Sequence, residues 1–308
     1  MLNLKNKYLI IIAGPTAVGK TTTAITIAKH FNSSIISADS RQIFKELCIG
    51  TAVPTQEQMK LVPHYFIQNK SIHNSYNASN YEIEVNQLLT ELFKINNIVI
   101  LAGGSGLYID AVCNGIDDLP EIYPEIRNKI QLQFEKEGVE GLRQNLKILD
   151  PVYYEKVDLK NYKRIQKALE VTLMTGKPYS SFLTSRKKER EYKIIRIALE
   201  KDREELYNDI NKRILEMMEQ GLEEEARNYY SFRSSNALKT VGYKELFLYF
   251  DGEMTRDEAI ISIQANTRKY ARKQLTWFRK GKLYQWFNPS EETKIIEFIE
   301  QEIKTTEL

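Results

Sequence analysis

Short apolar runs separated by mixed stretches divide the first half of the chain into strand, loop and helix units. Tyr8–Ala13, Ser34–Ala38, Asn97–Ala102 and, further on, Tyr192–Leu199 are apolar along nearly their whole length, the pattern of strands covered on both faces. Thr21–Phe31 and Tyr81–Ile95 read as helices. Continuous apolar strands alternating with helices predict a parallel, doubly wound sheet.

From about Asn114 to Ser185 the pattern changes to helices without strong strands. Pro124 sits near a helix start and Gly138 just past its end, the usual asymmetry of helix termini. A second helix, Asn161–Thr175, stops at Gly176 with Pro178 beyond it. The expectation is an α/β core formed by residues 1–113 and 186–308, interrupted by an all-helical insertion over 114–185. In the helical C-terminal part, Asp202 with Glu205 reads as a capping box, and Thr255 with Glu258 starts another helix. Gly221 interrupts the first of those helices, and the second can run to Gly281. Arg186-Lys187-Lys188 reads as a charged connector.

Composition narrows the class without naming a chemistry. An apolar share of 42% and a charged share of 28% are those of a globular protein, and a net charge of only +3 means that any nucleic-acid affinity must come from local clustering. Cys48 and Cys113 lie far apart, and His30, His64 and His73 form no ligand-spaced set, which argues against a disulfide framework and a zinc site. The run Tyr8–Ala13 is too short for a signal peptide and leads straight into a glycine loop. No segment approaches the roughly 20 apolar residues of a membrane span, so no membrane partner and a cytoplasmic location are expected.

The glycine loop carries the strongest chemical signal. Gly14-Pro15-Thr16-Ala17-Val18-Gly19-Lys20-Thr21 fits the phosphate-binding pattern G-x-x-x-x-G-K-[ST], set between an apolar strand and a helix. Its glycines let backbone N–H groups converge on phosphate oxygens, and the helix N-terminus adds partial positive charge. Lys20 supplies a mobile cation, and the Thr21 hydroxyl is placed to ligate Mg²⁺, the expected cofactor. A P-loop NTPase-like fold follows, but not a nucleotide. The strand Asn97–Ala102 ends in Gly103-Gly104-Ser105-Gly106 without the acid of a nucleotide-hydrolysing motor. Paired glycines there suit close approach by a ligand or simply a tight turn. Asp39 follows the strand Ser34–Ala38 at a carboxyl end that faces the ligand crevice. It suits a general base, a metal ligand or a helix cap. Two readings of the loop stay open: an ATP-using kinase, or an enzyme whose bound diphosphate is itself the leaving group.

Basic residues are clustered. Arg268, Lys269, Arg272, Lys273, Arg279, Lys280 and Lys282 fall in one stretch without an acid, interleaved with Tyr270, Trp277 and Phe278. At helical spacing this makes a stripe suited to a nucleic-acid backbone, with aromatics able to stack bases. The bland alternative is a solvated face with its aromatics in the core. Lys160, Lys163, Arg164 and Lys167 form a second group inside the insertion. Two such clusters favour a polyanionic acceptor over a small metabolite.

With these residues in view the chain resembles the tRNA dimethylallyltransferases, also called tRNA isopentenyltransferases. GPTAVGKT, SADSRQIF, GTAVPT, VPHYFI, LAGGSGLYI, RIQKALEVTLMTGKP, VGYKE and RKYARKQLTWFR occur in the family's order over nearly the whole length. The resemblance implies transfer of a dimethylallyl group from dimethylallyl diphosphate to N6 of the adenosine 3′-adjacent to the anticodon of tRNA. It also implies pyrophosphate release, Mg²⁺ dependence and an insertion that grips the anticodon stem-loop; a monomer is expected. Residue by residue, Gly14–Thr21 matches the diphosphate loop, often also described as ATP-binding. Asp39 matches the general base, and Asp39, Ser40, Arg41 and Gln42 match a tRNA-contacting segment. Ser105 stands where the family has Thr near the reacting base. Arg127 and Lys163, Arg164, Ile165, Gln166 and Lys167 match further tRNA contacts, and Arg272 and Lys273 belong to the basic stripe. Arg203 is matched to an arginine near the diphosphate. There are departures: Val18 for the usual Ser, Tyr65 for a second His, and Asp158-Leu159-Lys160-Asn161 for His-Pro-Asn-Asp. No zinc-finger extension is seen, as in a bacterial-type enzyme. A kinase of a nucleotide or small metabolite and a nucleotide-gated RNA-binding module without chemistry are the rival readings.

Overall fold

The computed structural model describes residues 5–117, 119–120, 122–184 and 188–307. Arg186 and Lys187 of the connector therefore lie outside the described residues. Among the described residues the chain forms a six-stranded sheet from β1 (Tyr8–Ala13), β2 (Ile35–Ser37), β3 (His64–Tyr65), β4 (Ile98–Gly103), β5 (Lys193–Leu199) and β6 (Gln285–Phe287), in the order β3-β2-β4-β1-β5-β6. Every pairing is parallel. The four apolar runs of the sequence are the four central strands. β3 and β6 escape the pattern because two or three residues at an edge are too short to show a period.

Register places the site. β1 pairs with β4 from Tyr8↔Ile98 to Ala13↔Gly103, and β4 pairs with β2 through Ser37↔Ala102. The phosphate loop after β1, the glycine turn after β4 and Asp39 after β2 therefore emerge side by side at the carboxyl edge, where parallel sheets bind ligands. On one face Tyr8, Ile10 and Ile12 share a core with Ile27 of the helix Lys20–His30 and with Ile295, Ile299 and Ile303 of the helix Glu292–Glu307. Glu307 ties that last helix back to the first strand, accepting from Lys5 N and Asn6 N at 3.0 Å each and from the Tyr8 hydroxyl at 2.9 Å.

By its contacts the chain divides into two compact units, Met1–Asn114 with Glu189–Leu308, and Gly115–Lys188. The second is all-helical. Its helices Pro124–Leu149 and Tyr162–Thr175 bury Ile130, Leu142, Leu146, Ile165 and Leu169 together. Gly138 interrupts the first of them: one helix ends there, as expected, and another follows directly to Leu149. The glycine takes φ 66° and ψ −162° and so marks a kink. Gly176 ends the second, in the left-handed conformation at φ 69°.

Other helix starts differ from expectation for local reasons. Ala78–Leu92 begins earlier than Tyr81 because Asn77 caps it reciprocally with Asn80. The helix Arg256–Arg279 starts where expected, and Thr255 and Glu258 form a capping box there. Asp202 caps Arg203–Glu219, accepting from Glu204 N and Glu205 N, but Glu205 makes an ion pair with Lys201 at 2.9 Å instead of the return bond. No helix among the described residues is long and apolar enough to cross a membrane.

Candidate active site

The loop Gly14–Thr21 opens onto a cavity of about 610 Å³ lined by its own Thr16, Ala17, Gly19, Lys20 and Thr21. Gly19 caps the following helix at φ 105°, a conformation that penalises any side chain, and no side chain caps the helix. Its first amides are thus left for an anion. Lys20 Nζ donates to the carbonyl of Pro15 at 2.6 Å. Burial pushes this lysine down to about 8; the Asp39 carboxylate works against that shift and the Arg213 guanidinium adds to it. Val18 is fully buried, so it contributes backbone alone to the loop's concave side.

Asp39 lies at the end of β2 and lines the same cavity. Its Oδ1 accepts from Arg41 N at 2.8 Å and Gln42 N at 3.3 Å, an Asx turn that fixes the carboxylate without a helix behind it. Oδ2 has no hydrogen-bond partner among the described residues. The Ser105 hydroxyl accepts from Ser40 N at 2.9 Å, and Ser105 N donates to the Ala38 carbonyl at 3.1 Å, stitching the glycine turn to the Asp39 turn. Gln42 Nε2 donates to the carbonyls of Thr51 and Ala52 at 3.1 and 2.9 Å, which holds the loop 50–55 across the cavity.

The glycines after β4 make room for the protein itself rather than for a ligand. A Cβ on Gly103 would stand 2.2 Å from the Ala38 carbonyl oxygen, one on Gly104 2.2 Å from Gln274 Nε2, and one on Gly106 2.3 Å from the Trp277 ring. Gln274 is the brace: its Oε1 accepts from Thr16 N at 2.9 Å and its Nε2 donates to the Gly104 carbonyl at 2.9 Å. One buried amide thus joins the phosphate loop to the glycine turn. Neither Gln274 nor its role stands out in the sequence.

The arginine facing the cavity is Arg213, not Arg203. Arg203 is exposed at the start of its helix, its guanidinium 5.3 Å from the Tyr207 ring centroid. Further along that helix Asp209, Lys212, Arg213 and Glu216 line the cavity. Arg213 is pushed down by burial and held up by the Asp39 and Glu216 carboxylates. A smaller cavity of about 360 Å³ shares Thr16, Ala17, Asp39, Arg213 and Tyr270 with the first and is walled by Ile210, Ile214, Met217 and Ile263.

The basic residues sort by accessibility. Arg272 and Lys273 are exposed, and Arg272 donates to the Tyr207 hydroxyl at 2.9 Å. Phe278 is buried, and Trp277 donates to Asp110 Oδ2 at 3.0 Å. In the helical unit Lys163 and Arg164 are exposed, Gln166 and Lys167 half-buried, and Arg127 lies 3.8 Å from Glu170. Ile165 is the exception to its segment: fully buried in that unit's core, it presents no side chain to a partner.

Known proteins complete the comparison. A model of the family described as IPP transferase matches residues 42–281. The chain is 52% identical to tRNA dimethylallyltransferase 2 of Parabacteroides distasonis over 96% of its own length and 99% of that protein's. It is 53% identical to tRNA dimethylallyltransferase 2 of Porphyromonas gingivalis over 94% and 96%. Among solved structures, the full-length tRNA isopentenylpyrophosphate transferase of Bacillus halodurans superposes with a TM-score of 0.72 at 34% identity, covering 98% of each chain. A phosphate loop braced to a glycine turn and flanked by a turn-fixed carboxylate is thus set in a chain that matches these relatives over nearly its whole length, and the chain belongs to the IPP transferase family.

Proposed function

We propose that this protein transfers a dimethylallyl group from dimethylallyl diphosphate to the exocyclic N6 of the adenosine 3′-adjacent to the anticodon of tRNA, releasing pyrophosphate, and that it acts in the cytoplasm with its RNA substrate. The observation that carries the mechanism is Asp39: a turn-fixed carboxylate with one oxygen uncommitted, within electrostatic reach of Lys20 and Arg213 on the cavity that the phosphate loop opens onto.

In this reading the loop amides, Lys20 and Arg213 hold the diphosphate. An adenine amino group is a poor nucleophile because its lone pair is delocalised into the ring, and it needs a proton acceptor. As N6 bonds to the allylic carbon, the carbon–oxygen bond to the diphosphate breaks and its electron pair leaves with the diphosphate. The N6 proton passes to Asp39 Oδ2. The cations and amides stabilise the charge gathering on the leaving oxygens. Among the described residues no three carboxylate, imidazole or thiol groups gather as a metal cage. Mg²⁺ suits this donor set because it keeps waters and takes further ligands from substrate phosphates. Thr21 would hold it, and it would neutralise diphosphate charge.

RNA contacts are assigned to accessible groups: Ser40, Arg41 and Ser105 near the reacting base, Arg127, Lys163, Arg164, Gln166 and Lys167 on the helical unit, and Arg272 and Lys273 on the basic helix. The target base must leave its stack, at a cost of a few kcal/mol that these contacts offset. The test is incubation of the purified protein with labelled dimethylallyl diphosphate and tRNA, without ATP. Label in the tRNA with stoichiometric pyrophosphate is expected. Unlabelled tRNA there, with phosphate moved from ATP to a small acceptor in a parallel incubation that contains ATP, would establish the kinase instead.

A further inference from the structure

The basic helix carries three aromatic side chains at and near the site, and they have different fates. Phe278 is buried and lies edge-on to Tyr284, with 5.5 Å between ring centroids. Trp277 lies over Gly106 and is fastened by its indole N–H to Asp110. Tyr270 is packed away in neither manner, although its phenol approaches Ser105. It lines both cavities, keeps 42% of its surface exposed, and among the described residues is the one Phe, Tyr or Trp lining either. Asp39, Arg41 and Ser105 surround its phenol, which burial pushes up to about 12, so the ring remains neutral at working pH.

We propose that Tyr270 is the platform on which the acceptor adenine stacks while Asp39 takes its proton. A base withdrawn from an RNA loop loses the stacking of both neighbours, and an aromatic face restores part of it. No other Phe, Tyr or Trp among the described residues lines either cavity, and the apolar part of the smaller one comes from Ile210, Ile214, Met217 and Ile263. Arg41, Lys239 and Lys244 line the same cavity, cations that suit an RNA backbone and serve no purpose for a hydrocarbon tail. Tyr270 lines both cavities, as do Asp39 and the loop residues Thr16 and Ala17, so a base resting on it lies in the space that the carboxylate and the phosphate loop also border.

The inference rests on the proposed transferase reading and is tested separately from it. Full-length wild type, Tyr270→Phe and Tyr270→Ala proteins are titrated with an anticodon stem-loop RNA and with the same RNA made abasic at the acceptor position. The ratio of intact to abasic affinity should fall by about 5- to 150-fold in Tyr270→Ala, the loss typical of one base–aromatic stack. Tyr270→Phe should keep the wild-type ratio. Equal abasic-RNA affinity in all three proteins is the expected sign that Tyr270→Ala is folded. An unchanged ratio in Tyr270→Ala overturns the proposal, whether or not turnover falls, since a fall in turnover alone would assign the ring to the allylic carbon. Loss of the ratio in Tyr270→Phe equally overturns it, by assigning the effect to the hydroxyl. If wild type places no prenyl group on the intact RNA, it is the transferase reading that fails.

Discussion

Replacing Asp39 by asparagine removes one oxygen's basicity and little else. Oδ1 already holds the turn through Arg41 N and Gln42 N, and an asparagine carbonyl can keep both bonds. The change falls on Oδ2, which becomes an amide that accepts no proton. If Asp39 is the base, the chemical step should slow by about 10²–10⁴-fold, the range for a positioned acid–base group, or about 2.7–5.4 kcal/mol of barrier. Alanine would in addition cost the two turn bonds, about 1 kcal/mol each before discounting the longer one.

The electrostatics supply an independent sign. Asp39 favours the charged forms of both Lys20 and Arg213. In Asp39→Asn those cations lose the carboxylate that they share, Arg213 keeping only Glu216, and a diphosphate is the group that relieves them. Donor affinity at pH 7 should therefore hold or tighten while turnover collapses. Single-turnover transfer to a stem-loop RNA measures the rate, and thermal shift against dimethylallyl diphosphate measures the affinity. A variant within threefold of the wild-type rate removes Asp39 from the chemistry. A variant in which donor affinity falls as far as the rate makes Asp39 a donor-binding residue instead of a base.

Other outcomes follow from single groups. Because Lys20 sits at about 8, the donor KM should rise toward tenfold per pH unit once the pH passes above that value, where binding must first protonate the amine; Lys20→Arg should flatten the profile, since arginine stays charged. Gln274→Leu leaves Thr16 N and the Gly104 carbonyl unpaired and should destabilise by about 1–3 kcal/mol for each, read by urea denaturation, with a raised donor KM. Arg272→Glu with Lys273→Glu should reduce the slope of log affinity for tRNA against log salt by about 0.7 for each phosphate that these cations neutralise in the wild type. An unchanged slope would take that stripe off the RNA.

What was legible in the sequence is what a short window contains. β1, its glycine loop and the following helix are contiguous, so residue type and spacing carry the whole argument. The same holds for the helical character of 124–175 and for Asp39, one residue past an apolar strand. The arrangement around Asp39 is different because its parts meet only in space. Asp209, Lys212, Arg213 and Glu216 recur at helical spacing beside Leu206, Ile210, Ile214 and Met217, and a charged stripe flanking an apolar one looks like a solvated face. Only packing shows that it meets a ligand cavity. Gly103 and Gly104 look like clearance for a ligand because sequence cannot show that Ala38 and Gln274 fill the space.

The helix Arg256–Arg279 shows how far composition can carry such a reading. Its cations report the face that meets solvent, and they are visible as a cluster. Its other face holds Ala271, Gln274 and Phe278 in the core, braces the phosphate loop through one amide, and turns Tyr270 into the cavity. A helix that bound RNA through its cations alone would tolerate any apolar set behind them. Here that inner face ties the helix to the phosphate loop, and Arg272 and Lys273, the proposed RNA contacts, immediately precede along the same backbone the glutamine that holds Thr16. RNA contact at those cations should therefore alter donor binding through Gln274, and in Gln274→Leu the donor KM should become indifferent to whether a stem-loop RNA is bound. A wild-type donor affinity that never responds to RNA would refute that coupling.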